Sequence, residues 1–161
     1  MFNIEQFRKE LIHPALDKLG LWSKEATELL VLTCAQETLG GTFIKQIEGP
    51  ALGIYQMEPK THEALWASYL PRRADLAYKL LSSVYISSKP PIEYVKYNLL
   101  YATMIARIFY YQFPEALPSH EDVKGLAQYY KKYWNTEQGS ATVEQAIANY
   151  NKFTGIKPAK K

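Results

Sequence analysis

The stretch Ile92-Glu-Tyr-Val-Lys-Tyr-Asn-Leu-Leu-Tyr-Ala-Thr-Met-Ile-Ala-Arg-Ile-Phe-Tyr-Tyr-Gln-Phe113 decides the fold. Its middle, with Leu99, Leu100, Ala102, Met104, Ile105 and Ala106, is apolar nearly all round, and a helix without a polar face belongs at the centre of a bundle. Pro91 suits its first turn and Pro114 ends it, because proline fixes a helical φ but cannot donate the bond that continues a helix. Arg107 interrupts the apolar run. It either snorkels to the surface or pairs with a carboxylate near a cleft.

The segments on either side also read as helices. Ile4, Phe7, Leu11 and Ala15 recur at helical spacing, predicting an amphipathic helix over 3–19, interrupted near Pro14 and closed by Gly20. Ser23 serves as an N-cap for a helix over 24–39 that stops at Gly40-Gly41. Pro59 opens a helix to Leu70, and Pro71 opens another to Val84. Ser87-Ser-Lys-Pro-Pro91 is loop chemistry. Ser119 with Asp122 resembles a capping box for a helix to Trp134, and Thr142 with Gln145 one for a last helix to Asn151. No run alternates as a strand does. The expectation is an all-α fold, a single domain over 1–156 of about seven helices around the buried one.

Composition bounds the function. The 161 residues carry a net charge of +3 without a basic motif for nucleic acid, and residues 157–161 form a short basic tail. The N-terminus lacks the order of a secretory signal, and no segment has the length of a membrane span, so synthesis in a cytoplasm is expected. Cys34 is the one cysteine and lies in an apolar run, which marks a buried small residue and not a nucleophile. His13, His62 and His120 lack ligand spacing, so neither a metal nor another cofactor is expected. No P-loop, Gly-x-Ser-x-Gly or Cys-x-x-Cys motif is present.

The chemistry centres on Glu37. It closes the uncharged run Leu29-Leu-Val-Leu-Thr-Cys-Ala35, and desolvation together with the negative end of the helix dipole would raise its pKa toward that of a general acid. Further on, Ala51-Leu-Gly-Ile-Tyr-Gln-Met-Glu-Pro59 joins a glycine suited to close backbone approach with an aromatic and the Gln56 amide. The acid at one helix end and this loop at the next helix start flank one cleft. Glu58 is a second carboxylate there, unless its side chain caps the following helix.

The combination of Gln36-Glu-Thr38, the loop Ala51-Leu-Gly-Ile-Tyr-Gln56, Pro59 and Thr61 resembles the signature of soluble lytic transglycosylases and their goose-type lysozyme relatives, in particular a bacteriophage branch. Thr38 stands where that family usually has serine, and residues 41–48 do not copy its usual loop. The resemblance implies a lysozyme-like helical domain with a groove for peptidoglycan glycan strands. It implies Glu37 as the catalytic acid, and it suggests a place among the tail proteins of a virion or an endolysin role at lysis. It also implies a late tyrosine–asparagine pair facing the acid. Tyr133 and Asn135 qualify by order in the chain, and Tyr150 and Asn151 match the letters more closely. Of the 13 tyrosines, Tyr97 and Tyr101 are expected in the core, while Tyr55, Tyr130 and Trp134 are expected to offer sugar rings a flat face in the groove.

Overall fold

Pro14 sets the winding of the first helix. Asn3 caps that helix by accepting the Gln6 N–H at 3.1 Å. The helix, α1, spans residues 4–19 as Ile4–Gln6, a π-helical segment Phe7–Ile12, and His13–Leu19. A proline ring crowds the carbonyl four residues back, so the wider winding ahead of it, with the His13 N–H on the Arg8 carbonyl, carries the chain past Pro14. The expected interruption is therefore a change of pitch.

The computed structural model describes residues 1–157; of the expected basic tail, residues 158–161 lie outside the described residues. The described chain is all-helical, with eight helices and no β-strand. Helix α2, Lys24–Thr38, starts on Ser23, whose hydroxyl accepts the Ala26 N–H at 3.0 Å. Helix α3, residues 59–72, comprises Pro59–Ala64, a π-helical segment Leu65–Tyr69 and a 3-10 turn Leu70–Arg72. Pro71 thus lies in the closing turn of α3, and α4, Ala74–Ser83, begins beyond Arg73.

The long helix expected over 92–113 is divided. Asn98 is extended (φ −119°, ψ 100°) and its side chain accepts the Tyr101 N–H at 2.9 Å. A capping side chain here outweighs continuation of the helix. The result is a short α5, Tyr94–Tyr97, and a buried α6, Leu99–Tyr111. The break turns Tyr97 outward to 73% exposure, against the core position expected for it, while Tyr101 is fully buried.

Helix α7 covers residues 123–135, as Val123–Tyr130 and a π-helical segment Lys131–Asn135. Its cap is Asp122, which accepts the Gly125 N–H at 2.9 Å, whereas the Ser119 hydroxyl serves Glu121 in the preceding turn. Helix α8, Val143–Thr154, opens on the Thr142–Gln145 capping box and passes Asn151. Leu29–Ala35 of α2 and Tyr101–Ile108 of α6 are buried throughout; each large side chain there contributes roughly 2 kcal/mol through burial. Helices α6, α7 and α8 pack on α2, which fixes the end carrying Glu37 against α7. No helix among the described residues is long and apolar enough to cross a membrane.

Candidate functional site

Helix α2 ends because Leu39 (φ 51°) and Gly40 (φ 73°) turn left-handed, and the Gly40 N–H returns to the Cys34 carbonyl at 3.1 Å. The Phe153 ring would lie 2.6 Å from any Cβ at Gly40, so only glycine fits beneath α8 there. Glu37 occupies the last turn, partly buried at the wall of an open cleft of about 560 Å³. Burial is the largest cause raising its pKa to about 7, the negative charge of Glu58 adds to the rise, and a hydrogen bond from the Tyr130 hydroxyl opposes it.

Thr38 has a structural task. Its hydroxyl donates to the Ile54 carbonyl at 2.7 Å and accepts the Gly41 N–H at 3.0 Å. The acid-bearing helix end is thereby tied to the loop that carries Gln56. That loop folds on itself through isolated antiparallel bridges, Lys45 with Leu52 and Leu52 with Met57. Gly53 (φ 79°) brings it against α5, where a Cβ would meet the Val95 carbonyl at 2.7 Å. Gln56 itself is left-handed (φ 50°) and 8% exposed, an uncommon backbone state for a residue with a side chain. Its amide nitrogen donates to the Gly53 carbonyl at 2.8 Å, so its amide oxygen remains without a protein partner among the described residues.

Glu37, Gln56, Glu58, Tyr133, Trp134 and Asn135 all line this one cleft. Tyr55 and Tyr130 do not supply its walls. The Tyr55 ring is buried and its hydroxyl pairs with Thr103 at 3.1 Å, because the loop packs its aromatic side onto α6. The Tyr130 ring is fully buried too, but its hydroxyl reaches Glu37 Oε1 at 2.5 Å. Burial beside that carboxyl holds the phenol well above its ordinary pKa, so Tyr130 acts as a hydrogen-bond donor and not as a sugar platform. The Tyr133 hydroxyl, expected to face the acid, bonds Glu115 instead, while its ring stacks on Phe113 at 4.2 Å. Asn135 is held at the end of the π-helical segment by Lys131, whose ammonium donates to Asn135 Oδ1 at 2.7 Å and to the Gly139 carbonyl at 2.9 Å.

Glu58 is the residue before α3, yet its side chain makes no cap bond; it is 46% exposed and pairs with Lys60 at 3.0 Å. Tyr150 lies away from the cleft, its hydroxyl on Glu28 at 2.6 Å within a cluster that includes Arg8, and Asn151 is likewise absent from the cleft wall. Cleft residues not anticipated include Gln46, Lys60, Phe109 and Phe113. The i, i+4 spacing of Phe109 and Phe113 was the legible signal, and the two rings do meet, 5.4 Å apart, although Phe113 lies just beyond the end of α6.

The three histidines go to separate places. His13 stacks on Trp22, His62 meets the Tyr101 hydroxyl at 2.7 Å, and His120 meets Glu25 at 3.2 Å. Cys34 is buried beside Thr38, and burial pushes its thiol up to about 12. Chemically, the cleft combines a carboxyl group able to exchange a proton near neutral pH with amide groups and an aromatic wall. Comparison with family models, with curated proteins and with solved structures finds no match for this chain.

Proposed function

We infer that this protein is a lytic transglycosylase that cleaves peptidoglycan between N-acetylmuramic acid and N-acetylglucosamine. The observation that carries the reading is the condition of Glu37, a carboxyl group held near a pKa of about 7 by burial at the wall of an open cleft. Such a group donates and recovers a proton at neutral pH. The amides of Gln56 and Asn135 and the rings of Phe113, Tyr133 and Trp134 suit sugars, which present polar edges and apolar faces.

In this mechanism Glu37 protonates the glycosidic oxygen as the bond to the muramoyl C1 breaks. The substrate's own N-acetyl oxygen supports the charge at C1, so a second carboxylate is not required. Glu37, now a carboxylate, takes the proton of the muramoyl 6-hydroxyl as that oxygen bonds to C1, which gives a 1,6-anhydro product and restores the acid. Tyr130 orients the carboxyl through its hydrogen bond.

A hydrolytic reading, as in a goose-type lysozyme, has one observation in its favour: Glu58 lies on the same wall, close enough for its charge to be felt by Glu37. Mass spectrometry of released muropeptides separates the two. Transglycosylation leaves ends one water lighter than hydrolysis does. Glu37→Gln should lower release by about a hundredfold or more while keeping the helical signal, because the amide retains the shape but cannot donate a proton. Near-normal activity of that variant would remove Glu37 as the acid. By the resemblance to the bacteriophage branch, the place of action is the cell wall, reached with the virion tail, and an endolysin role is the alternative. A folded protein that cleaves no peptidoglycan would instead be a structural tail component.

A further inference from the structure

The cleft does not end at the acid. Lys60, Thr61 and Phe109 line both it and a second hollow of about 440 Å³, which in turn shares Tyr69 and Gln112 with a third of about 540 Å³. The three hollows therefore adjoin one another around α6, and Phe113 borders both the first and the third.

The third hollow is built around Arg107, which is only 7% exposed. Its Nε donates to the Leu21 carbonyl at 3.2 Å, and no carboxylate pairs with it among the described residues. A guanidinium carries five N–H donors, so most of this one's capacity is left for the hollow. A second cation lies close by. Arg73 and Arg107 sit over the same Tyr111 ring, at 5.4 and 5.3 Å from its centroid. Arg73 is shared with Asp75, at 3.2 Å, but Arg107 has the ring and the Leu21 carbonyl, neither of which is a counter-ion. Two guanidinium groups at one aromatic ring repel, and a nearly buried cation without a counter-ion is costly; an anion in the hollow relieves both. Glu115 also borders this hollow, but its carboxylate is engaged by Lys132 at 2.8 Å and by Tyr133.

We propose that Arg107, assisted by Arg73, is an anion subsite in this hollow beside the cleft that takes a carboxylate of the bound wall polymer. The carboxylate comes either from the peptide stem or from the lactyl group of a muramic acid residue that carries no stem, since a stem converts that carboxyl to an amide. Planar, forked recognition of a carboxylate is the task for which arginine is suited. The proposal rests on the glycan-cleaving reading, whose acid it extends into a longer substrate footprint.

The test is a set of binding titrations on the Glu37→Gln protein, which holds substrate without turning it over. Three ligands are compared: glycan strands with peptide stems, strands freed of stems but retaining lactyl carboxylates, and a chitooligosaccharide with neither. Adding Arg107→Gln should weaken binding of the strands that supply the carboxylate by about tenfold, the loss of one charge-assisted hydrogen bond. If the loss is seen on stem-bearing strands and vanishes on stem-free ones, the stem is the source; if it is seen on stem-free strands and is absent from stem-bearing strands and from chitooligosaccharide, the lactyl carboxylate is. Arg73→Gln, at a more exposed position, should show the same pattern more weakly and carries the test if Arg107→Gln fails to fold. Equal binding of all three ligands by parent and variants overturns the subsite while leaving strand binding intact. Failure of the parent to bind any of them overturns the glycan reading and the subsite together.

Discussion

At Glu37 two neighbours act on one proton in opposite senses. The Tyr130 hydroxyl donates to the carboxylate and lowers its pKa, while Glu58 and burial raise it. In the proposed mechanism the reaction requires protonated Glu37, so the alkaline limb of kcat/KM against pH should report the Glu37 pKa in the free protein. Tyr130→Phe should therefore shift that limb upward, by up to about one pH unit, and lower turnover through looser orientation of the acid. Glu58→Gln removes a repelling charge and should shift the limb downward. Its cost in turnover should be on the order of 1 kcal/mol if the reaction is substrate-assisted. A loss as deep as that of Glu37→Gln would mark Glu58 as a second catalytic carboxylate. The two limb positions, measured on one substrate, test the arrangement without reference to absolute rates.

Between elements, the site depends on how the end of α2 is joined to the loop over 40–58. The Thr38 hydroxyl is that joint, serving the Ile54 carbonyl and the Gly41 N–H inside the protein. Thr38→Val keeps the shape but leaves both groups unpaired, and should lower unfolding stability by about 1–3 kcal/mol in urea titration and reduce cleavage. Thr38→Ser retains the hydroxyl and should restore activity. Gly53→Ala introduces a Cβ that meets the Val95 carbonyl at 2.7 Å in a left-handed residue, so a loss of about 2 kcal/mol or more is expected together with displacement of Gln56. A variant as stable and active as the parent would show that the loop is not held against α5 as described. Helix starts were legible where a capping side chain acts within one turn, as at Ser23 and Thr142, and less so where two candidates competed, as at Ser119 and Asp122.

In the whole molecule, two buried titratable groups oppose each other. Glu37 has its pKa raised to about 7, so the folded state keeps a proton the unfolded chain has released; its contribution to stability is present below the usual carboxylate range and lost as pH rises toward 7. His62 has its pKa lowered to about 4, by burial first and by Lys89 second; its contribution is present above the usual histidine value and lost as pH falls toward 4. The two slopes have opposite signs between about pH 4.5 and 6.5 and offset one another. Relative to the parent, Glu37→Gln should gain stability at pH 8, on the order of 2 kcal/mol, and show none of that gain at pH 4. Replacing His62 with Phe should make stability rise on acidification over the same window, as denaturant titrations at several pH values would show. Parallel pH profiles for parent and variants would contradict these buried environments. The sequence determined the helical class, most of the helices, the acid at the end of α2 and the loop around Gln56, because periodicity, caps and turn residues act over a few positions along the chain. Asn98 divides the central helix through a cap three residues long, a local signal hidden by the apolar run around it. Tertiary structure alone decided that Tyr130 and not Tyr133 would reach Glu37, and that Tyr55 would enter the core. The hydrogen bond from Tyr130 to Glu37 joins residues 93 positions apart, and burial of that depth is a property of packed helices, not of any local stretch.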